Sequence, residues 1–167
     1  MNENAYLNII RHASRYVYIF TPYLIIDNEM MEALCLAAKS GVDIRIVTPG
    51  IPDKKIVYML TKSYYPQLLE AGVRIYNYTP GFIHAKCYVC DDEVGVVGTI
   101  NMDYRSLYLH FECGTYIYNS KAIADLKKDF FDTFEISEEV HEKDRPKKVS
   151  LITMTFKAIL RLFAPLM

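Results

Sequence analysis

The chain has 167 residues, 51% of them hydrophobic, which suits one domain large enough to bury a core. With 19 Lys and Arg against 20 Asp and Glu, the net charge of −1 excludes a general attraction to nucleic acid and leaves only a local basic groove for such a role. No signal peptide is visible after Met1, and no apolar run reaches the roughly 18 residues needed to span a bilayer.

Tyr6, Ile9, Ile10 and Ala13 have helical spacing and predict a first helix. Tyr16 to Phe20 (YVYIF) reads as a buried strand that Thr21-Pro22 ends. Asp27 or Asn28 can cap a second helix running to Ser40, with Gly41 suited to the position after its end, and a strand from Val42 to Val47 follows. The segment Gly41-Val-Asp-Ile-Arg-Ile-Val-Thr48-Pro49-Gly50 recurs 31 residues later as Gly72-Val-Arg-Ile-Tyr-Asn-Tyr-Thr79-Pro80-Gly81, with a helical stretch from about Lys55 to Ala71 between. Helix, glycine stop, strand and TPG loop used twice predicts adjacent parallel strands joined by a crossover helix. Functional loops of such units sit at the carboxyl ends of the strands, and His84 lies three residues after the second TPG.

From Phe82 the pattern changes to a hairpin. His84 and Lys86 alternate on an extended segment and so point to one side, placing an imidazole beside an ammonium. Asp91-Asp92-Glu93 is turn-like, and Val94 to Thr99 reads as the returning strand, which would bring Gly98 and Thr99 opposite His84 with Asn101 just beyond. Seven strand positions put Asp91 about 20 Å from His84, which suits a structural role at the turn. A strand from about Phe111 to Tyr118 carries Glu112 near its start, and Lys121 to Phe134 is periodic as a helix.

The charged stretch 137–149, with Pro146, reads as a linker after a domain at 1–136. In the tail, 150–167, Ser150, Thr153, Lys157 and Arg161 share a narrow helical face, and apolar residues cover the rest. With Arg145, Lys147 and Lys148 just upstream, this predicts an interfacial membrane helix in preference to one docked on the body. The cysteines are Cys35, Cys87, Cys90 and Cys113. Cys87-x-x-Cys90 invites a metal reading, but strand spacing sends the two sulfurs to opposite faces and no second ligand pair completes a zinc set. Buried free thiols are the expectation, in a reducing, cytoplasmic-facing setting. Fourteen Tyr and no Trp point to no function on their own.

The spacing His84-x-Lys86, Asp91 after four residues, then Gly98-Thr99-x-Asn101 after six more, resembles the HKD signature of the phospholipase D superfamily. The continuation through Asp103, Arg105, Ser106, Phe111 and Glu112 is similar to the second HKD repeat of bacterial cardiolipin synthases, and the likeness runs from about Tyr6 to the C-terminus. It implies an α/β fold, a mixed β-sheet flanked by helices with one HKD repeat. It also implies phosphatidyl transfer between two phosphatidylglycerol molecules, giving cardiolipin and glycerol through a phosphohistidine, at a bacterial membrane surface. His84, Lys86, Asp91 and Glu112 are then the site residues by family convention. Glu112 would accept the Nδ1 proton of His84 and so aim Nε2 at phosphorus. Lys86, Thr99 and Asn101 would donate to phosphate oxygens.

Asp103 and Arg105 are equally compatible with a structural ion pair and with substrate contact. His110 has no place in the signature and reads as surface or packing, and His12 and His141 carry no signal. No carboxylates have metal-ligand spacing, and the mechanism implied by the resemblance needs no metal, so neither metal nor cofactor is expected. Double displacement needs two imidazoles and this chain has one HKD set, so a second must come from an N-terminal half lying outside it or from another copy. The Asp103–Glu112 continuation matches a C-terminal half and favours the former. Which role His84 takes, nucleophile or general acid, stays open. The alternatives are a homodimeric single-HKD phosphodiesterase or nuclease, and an inactive half.

Overall fold

The computed structural model describes residues 2–141. In chain order the elements are α1 (Asn2–His12), β1 (Tyr16–Phe20), β2 (Leu24–Ile25), α2 (Asn28–Lys39), β3 (Asp43–Pro49), α3 (Lys55–Glu70), β4 (Arg74–Tyr78), β5 (Cys87–Cys90), β6 (Val94–Gly98), β7 (Met102–Asp103), a π-helical turn (Arg105–Leu109), β8 (Gly114–Tyr118), α4 (Ala122–Glu135) and β9 (Ser137–Val140). Seven strands form one mixed sheet in the order β8-β6-β5-β1-β3-β4-β9, and β2 pairs with β7 in a separate two-stranded ladder.

Strands β1, β3 and β4 run parallel, as the repeated unit predicts. Both copies of its glycine stop are Schellman closures. Gly41 and Gly72 hold φ of 96° and 97°, and their N–H groups donate to Ala38 O and Leu69 O at 3.0 Å in each case. Val42 and Val73 then donate to Ala37 and Leu68, so each helix is turned into its strand by the same device. Asp27 caps α2, its Oδ1 accepting from Met30 N at 2.8 Å.

Both faces of the sheet are covered, which explains why YVYIF is buried throughout. Val17 and Ile19 join the core under the first three helices, with Ile44, Ile46, Tyr88 and Cys90. Tyr16, Tyr18 and Phe20 face α4, with Cys87, Val89, Phe130 and Phe134. Cys87 and Cys90 therefore do lie on opposite faces, both buried and unpaired, and burial pushes the Cys87 thiol up to about 11. The abundant tyrosines have a structural account. Buried rings fill the core while their hydroxyls reach rim carboxylates: Tyr16 to Asp92, Tyr18 to Asp43 and Tyr76 to Glu139, at 2.8–3.2 Å.

Three expectations are corrected. Residues 137–140 are not linker but the edge strand β9, antiparallel to β4. Glu139 there takes a bidentate pair from Arg74, both bonds 2.8 Å, which offsets the charge that made this stretch read as solvated. Strand β8 starts at Gly114, leaving Phe111 and Glu112 in the connection before it. In the hairpin, Gly98 N donates to Lys86 O, so Gly98 lies opposite Lys86 instead of His84. The proposed tail, 150–167, and the rest of the charged stretch beyond His141 lie outside the described residues.

Candidate active site

The β5–β6 hairpin is held at one end by Asp91. Asp91 and Asp92 both adopt positive φ, 52° and 63°, in a two-residue turn closed by Glu93 N to Cys90 O at 3.0 Å. That conformation is unfavourable for a residue with a Cβ, and Asp91 is compensated by what its carboxylate accepts. Oδ2 takes Ser14 N and Ser14 Oγ at 2.7 and 2.9 Å, and Oδ1 takes Arg15 N and Tyr16 N at 3.0 and 2.8 Å. Burial works to raise the Asp91 carboxyl, but these bonds outweigh it and hold the group below its usual value. Asp91 thus fastens the turn to the α1–β1 connection, at the far end of the strand from His84.

The other end of the hairpin is open. Residues 82–86 belong to no strand and precede the paired segment, which starts at Cys87. His84 is exposed, with the Phe82 ring 5.8 Å from its own and Tyr23 beyond that at 6.5 Å from Phe82. Its pKa lies below the ordinary value, chiefly through partial burial, then through the charge of Lys86, with Asp53 opposing. A neutral imidazole keeps a lone pair available at neutral pH. Lys86 is buried, its Nζ donating to His84 O at 2.6 Å. Burial lowers its pKa, while the nearby carboxylates of Glu112 and Asp103 favour its charge. Both carboxylates come from the 99–112 segment.

Gly98 lets that segment pass close to the hairpin. A Cβ there would stand 2.3 Å from Cys113 O, so only glycine lets the end of β6 pass this close to the 112–114 backbone. Thr99 N then donates to Cys113 O at 2.8 Å, Cys113 N donates to Thr99 Oγ1 at 3.0 Å, and the Thr99 hydroxyl donates to Glu112 Oε2. Glu112 Oε1 lies 3.8 Å from His110 Nδ1. Among the described residues Glu112 makes no hydrogen bond to His84; its carboxylate is engaged by Thr99 and faces His110.

Beyond Thr99, Asn101 donates through Nδ2 to Ser106 Oγ at 3.1 Å, while its Oδ1 is shielded without a partner among the described residues. Asp103 is buried and accepts Ser106 N through Oδ1 at 2.8 Å, capping the π-helical turn. Asp103 and Arg105 form no ion pair with each other among the described residues. Arg105 is exposed and donates from Nε to His110 Nε2 at 3.3 Å. Single-turn π-helical segments recur at functional sites.

A cleft of about 260 Å3 is lined by Tyr23, Lys54, Asn101, Asp103, Arg105, Ser106, His110 and Glu112. Lys54 and Arg105 bring positive charge to it, and Tyr23 is fixed by its 2.7 Å bond to Asp53. Sequence reasoning missed Tyr23, Lys54 and His110. For His110, a spacing of two from Glu112 was the available signal. A larger groove of about 690 Å3 lies between α1, α2 and α3 and includes none of these residues. A buried ammonium, a hydroxyl–carboxylate pair and an amide thus lie along the segments beside a cleft of mixed charge, with the His84 imidazole exposed at the open end of the hairpin, groups suited to attack on a phosphodiester and stabilisation of its oxygens.

Comparison with known proteins bears on this arrangement. A family model described as the phospholipase D-like domain of cardiolipin synthase matches residues 6–133. An uncharacterised protein of Streptococcus mutans is 50% identical over 167 residues, all of this chain and 36% of its own length. Cardiolipin synthase 2 of Bacillus anthracis is 39% identical over 165 residues, 99% of this chain and 32% of its own length. The chain therefore spans about a third of the length of these curated relatives. Among solved structures, Nuc of Salmonella typhimurium, a phospholipase D family member, superposes with a TM-score of 0.72 at 18% identity, covering 84% of this chain and 91% of Nuc. At that identity the likeness speaks for the fold.

Proposed function

This chain belongs to the phospholipase D-like domain family of cardiolipin synthases, and from that premise we propose that it supplies one of two half-sites transferring a phosphatidyl group between phosphatidylglycerol molecules. The observation that carries the reading is the buried Lys86, whose ammonium bonds the His84 carbonyl and feels the charge of Glu112 on the cleft wall, in a chain matched along 99% of its length by a cardiolipin synthase.

In the first step an imidazole Nε2 attacks phosphorus of one phosphatidylglycerol. The P–O bond to the headgroup glycerol breaks, and the leaving alkoxide takes a proton from the imidazole of the second half-site. In the second step a headgroup hydroxyl of another phosphatidylglycerol gives its proton to that second imidazole and attacks phosphorus. Cardiolipin forms, and the first imidazole is released. His84 serves as one of the two imidazoles. Lys86 neutralises the non-bridging oxygens, and Asn101 and Thr99 add donors as the pentacoordinate state forms. Glu112 holds Thr99 in place. It aims His84 only after a rearrangement of the Thr99 contact when substrate enters.

The second imidazole comes from an N-terminal half of the same protein or from another copy of this chain. The exposed apolar residues Leu109, Phe111, Tyr116 and Tyr118 beside Glu112 offer a surface for that half to cover. Strand β8, at the edge of the sheet among the described residues, supports the same reading. Membrane contact is peripheral and assigned to the tail at 150–167; no helix among the described residues is long and apolar enough to cross a membrane.

The test incubates the chain in phosphatidylglycerol vesicles, alone and with the N-terminal half of the Bacillus anthracis relative. Cardiolipin and free glycerol appearing in either condition, and lost with His84→Ala, support the proposal. Cleavage of DNA without lipid transfer in both conditions would overturn it.

A further inference from the structure

Away from the cleft, carboxylates from two helices converge. Glu3 lies in the first turn of α1, Asp27 caps α2, and Glu29 lies in the first turn of α2. One oxygen of each sits within 4.8 Å of the others. Acidic groups meet this way on many protein surfaces, so the cluster alone decides nothing.

Glu3 is the second, independent observation. It is only 6% exposed, and its Oε1 is shielded from water with no hydrogen-bond partner among the described residues. A buried carboxylate oxygen without a donor is costly, and here its nearest charges are also negative. Burial is the main cause raising the Glu3 carboxyl above its ordinary value. The Tyr108 hydroxyl opposes that shift, and the charges of Asp27 and Glu29 reinforce it. Arg11 compensates one member, Glu29, at 2.7 Å. Asp27 has used Oδ1 on Met30 N and Oδ2 on the Tyr108 hydroxyl, at 2.8 and 2.7 Å, yet each oxygen keeps a further lone pair.

We infer that Glu3, Asp27 and Glu29 bind a hard divalent cation of the Ca2+ type. Carboxylate oxygens are the ligands such ions take. A Ca2+ ion holds them at about 2.3–2.6 Å, so oxygens up to about 5 Å apart can share it, whereas Mg2+ would require them within about 4.2 Å. Glu29, with a half-exposed side chain, leaves room for water to complete the shell. The alternative, one proton shared by Glu3 and Asp27, would relieve that pair and leave Glu29 unaffected. The ion would also do something for the enzyme. Tyr108 belongs to the π-helical turn that carries Arg105 and Ser106, so the site ties α1 and α2 to one wall of the cleft.

The test uses the full 167-residue chain, stripped of metal by a chelator that is then removed. Thermal unfolding and calorimetric titration with CaCl2 are followed at constant ionic strength. The inference expects one site per chain and a saturating rise in Tm of about 5 °C or more. Both should vanish in Glu29→Gln, a surface change that leaves the fold intact, and in Glu3→Gln. An equal Ca2+ response in wild type and Glu29→Gln overturns the inference. So does a chain indifferent to Ca2+ whose metal-free form is stabilised by Glu3→Gln, because a shared proton then explains the cluster.

Discussion

The two ends of the β5–β6 hairpin use the same kinds of side chain for opposite purposes. At the turn, Asp91 is buried and accepts four hydrogen bonds from residues 14–16. At the mouth, His84 is exposed, Lys86 has one backbone partner, and Asn101 keeps an unpartnered oxygen. A saturated polar group stabilises; an unsaturated one held in place is available for chemistry. The H and K of the signature belong to the second kind and its D to the first. That difference dictates how each should respond to mutation.

The largest effect is expected at the mouth. His84→Ala should lower phosphatidyl transfer by about 10^3-fold or more, about 4 kcal/mol in barrier, with Tm unchanged. Parallel assays of transfer and melting check this. At the turn, Asp91→Ala should do the reverse and cost about 3 kcal/mol of stability by denaturant unfolding, while turnover per folded molecule stays near wild type. The pH sign follows from the lowered Asp91 carboxyl. Its contribution is present above the unfolded value of about 3.9 and is lost as pH falls through the folded one, so wild type and Asp91→Ala should converge only in acid.

Lys86→Met comes next. Transfer should fall about 10^2-fold, and Tm should hold or rise, because a buried charge is replaced by an apolar chain of similar length. Thr99→Val, which frees Glu112 from its hydroxyl partner, should cost about tenfold in transfer, with little change in melting. Finally, His84 sits below its ordinary value, so the acid limb of transfer should fall below about pH 6.5 if its neutral form attacks. A limb above that value would contradict the placement of Lys86 beside it.

Much of this contrast was legible in the residues. The turn-like Asp91-Asp92-Glu93 marked the hairpin turn, the Asp27 cap bounded α2, and the repeated Gly–strand–TPG unit predicted the parallel core. What stayed hidden depends on partners distant in sequence. Ser137–Val140 is acidic and reads as solvated until Arg74 stands beside it. The β2–β7 ladder has two residues per strand, too few for any period. The 112–114 connection passes Gly98 so closely that Glu112 meets Thr99 and His110, a contact no spacing rule supplies. The Glu3–Asp27–Glu29 cluster likewise exists only once two helix starts meet.

The account rests on the claim that chemistry resides at the mouth of the hairpin and stability at its turn. Turnover per folded molecule in phosphatidylglycerol vesicles, measured side by side for His84→Ala and Asp91→Ala with the second half-site supplied, tests it most directly. The account predicts no cardiolipin from folded His84→Ala and near-wild-type turnover from the folded fraction of Asp91→Ala. Transfer that survives His84→Ala, or that disappears from fully folded Asp91→Ala, would contradict it.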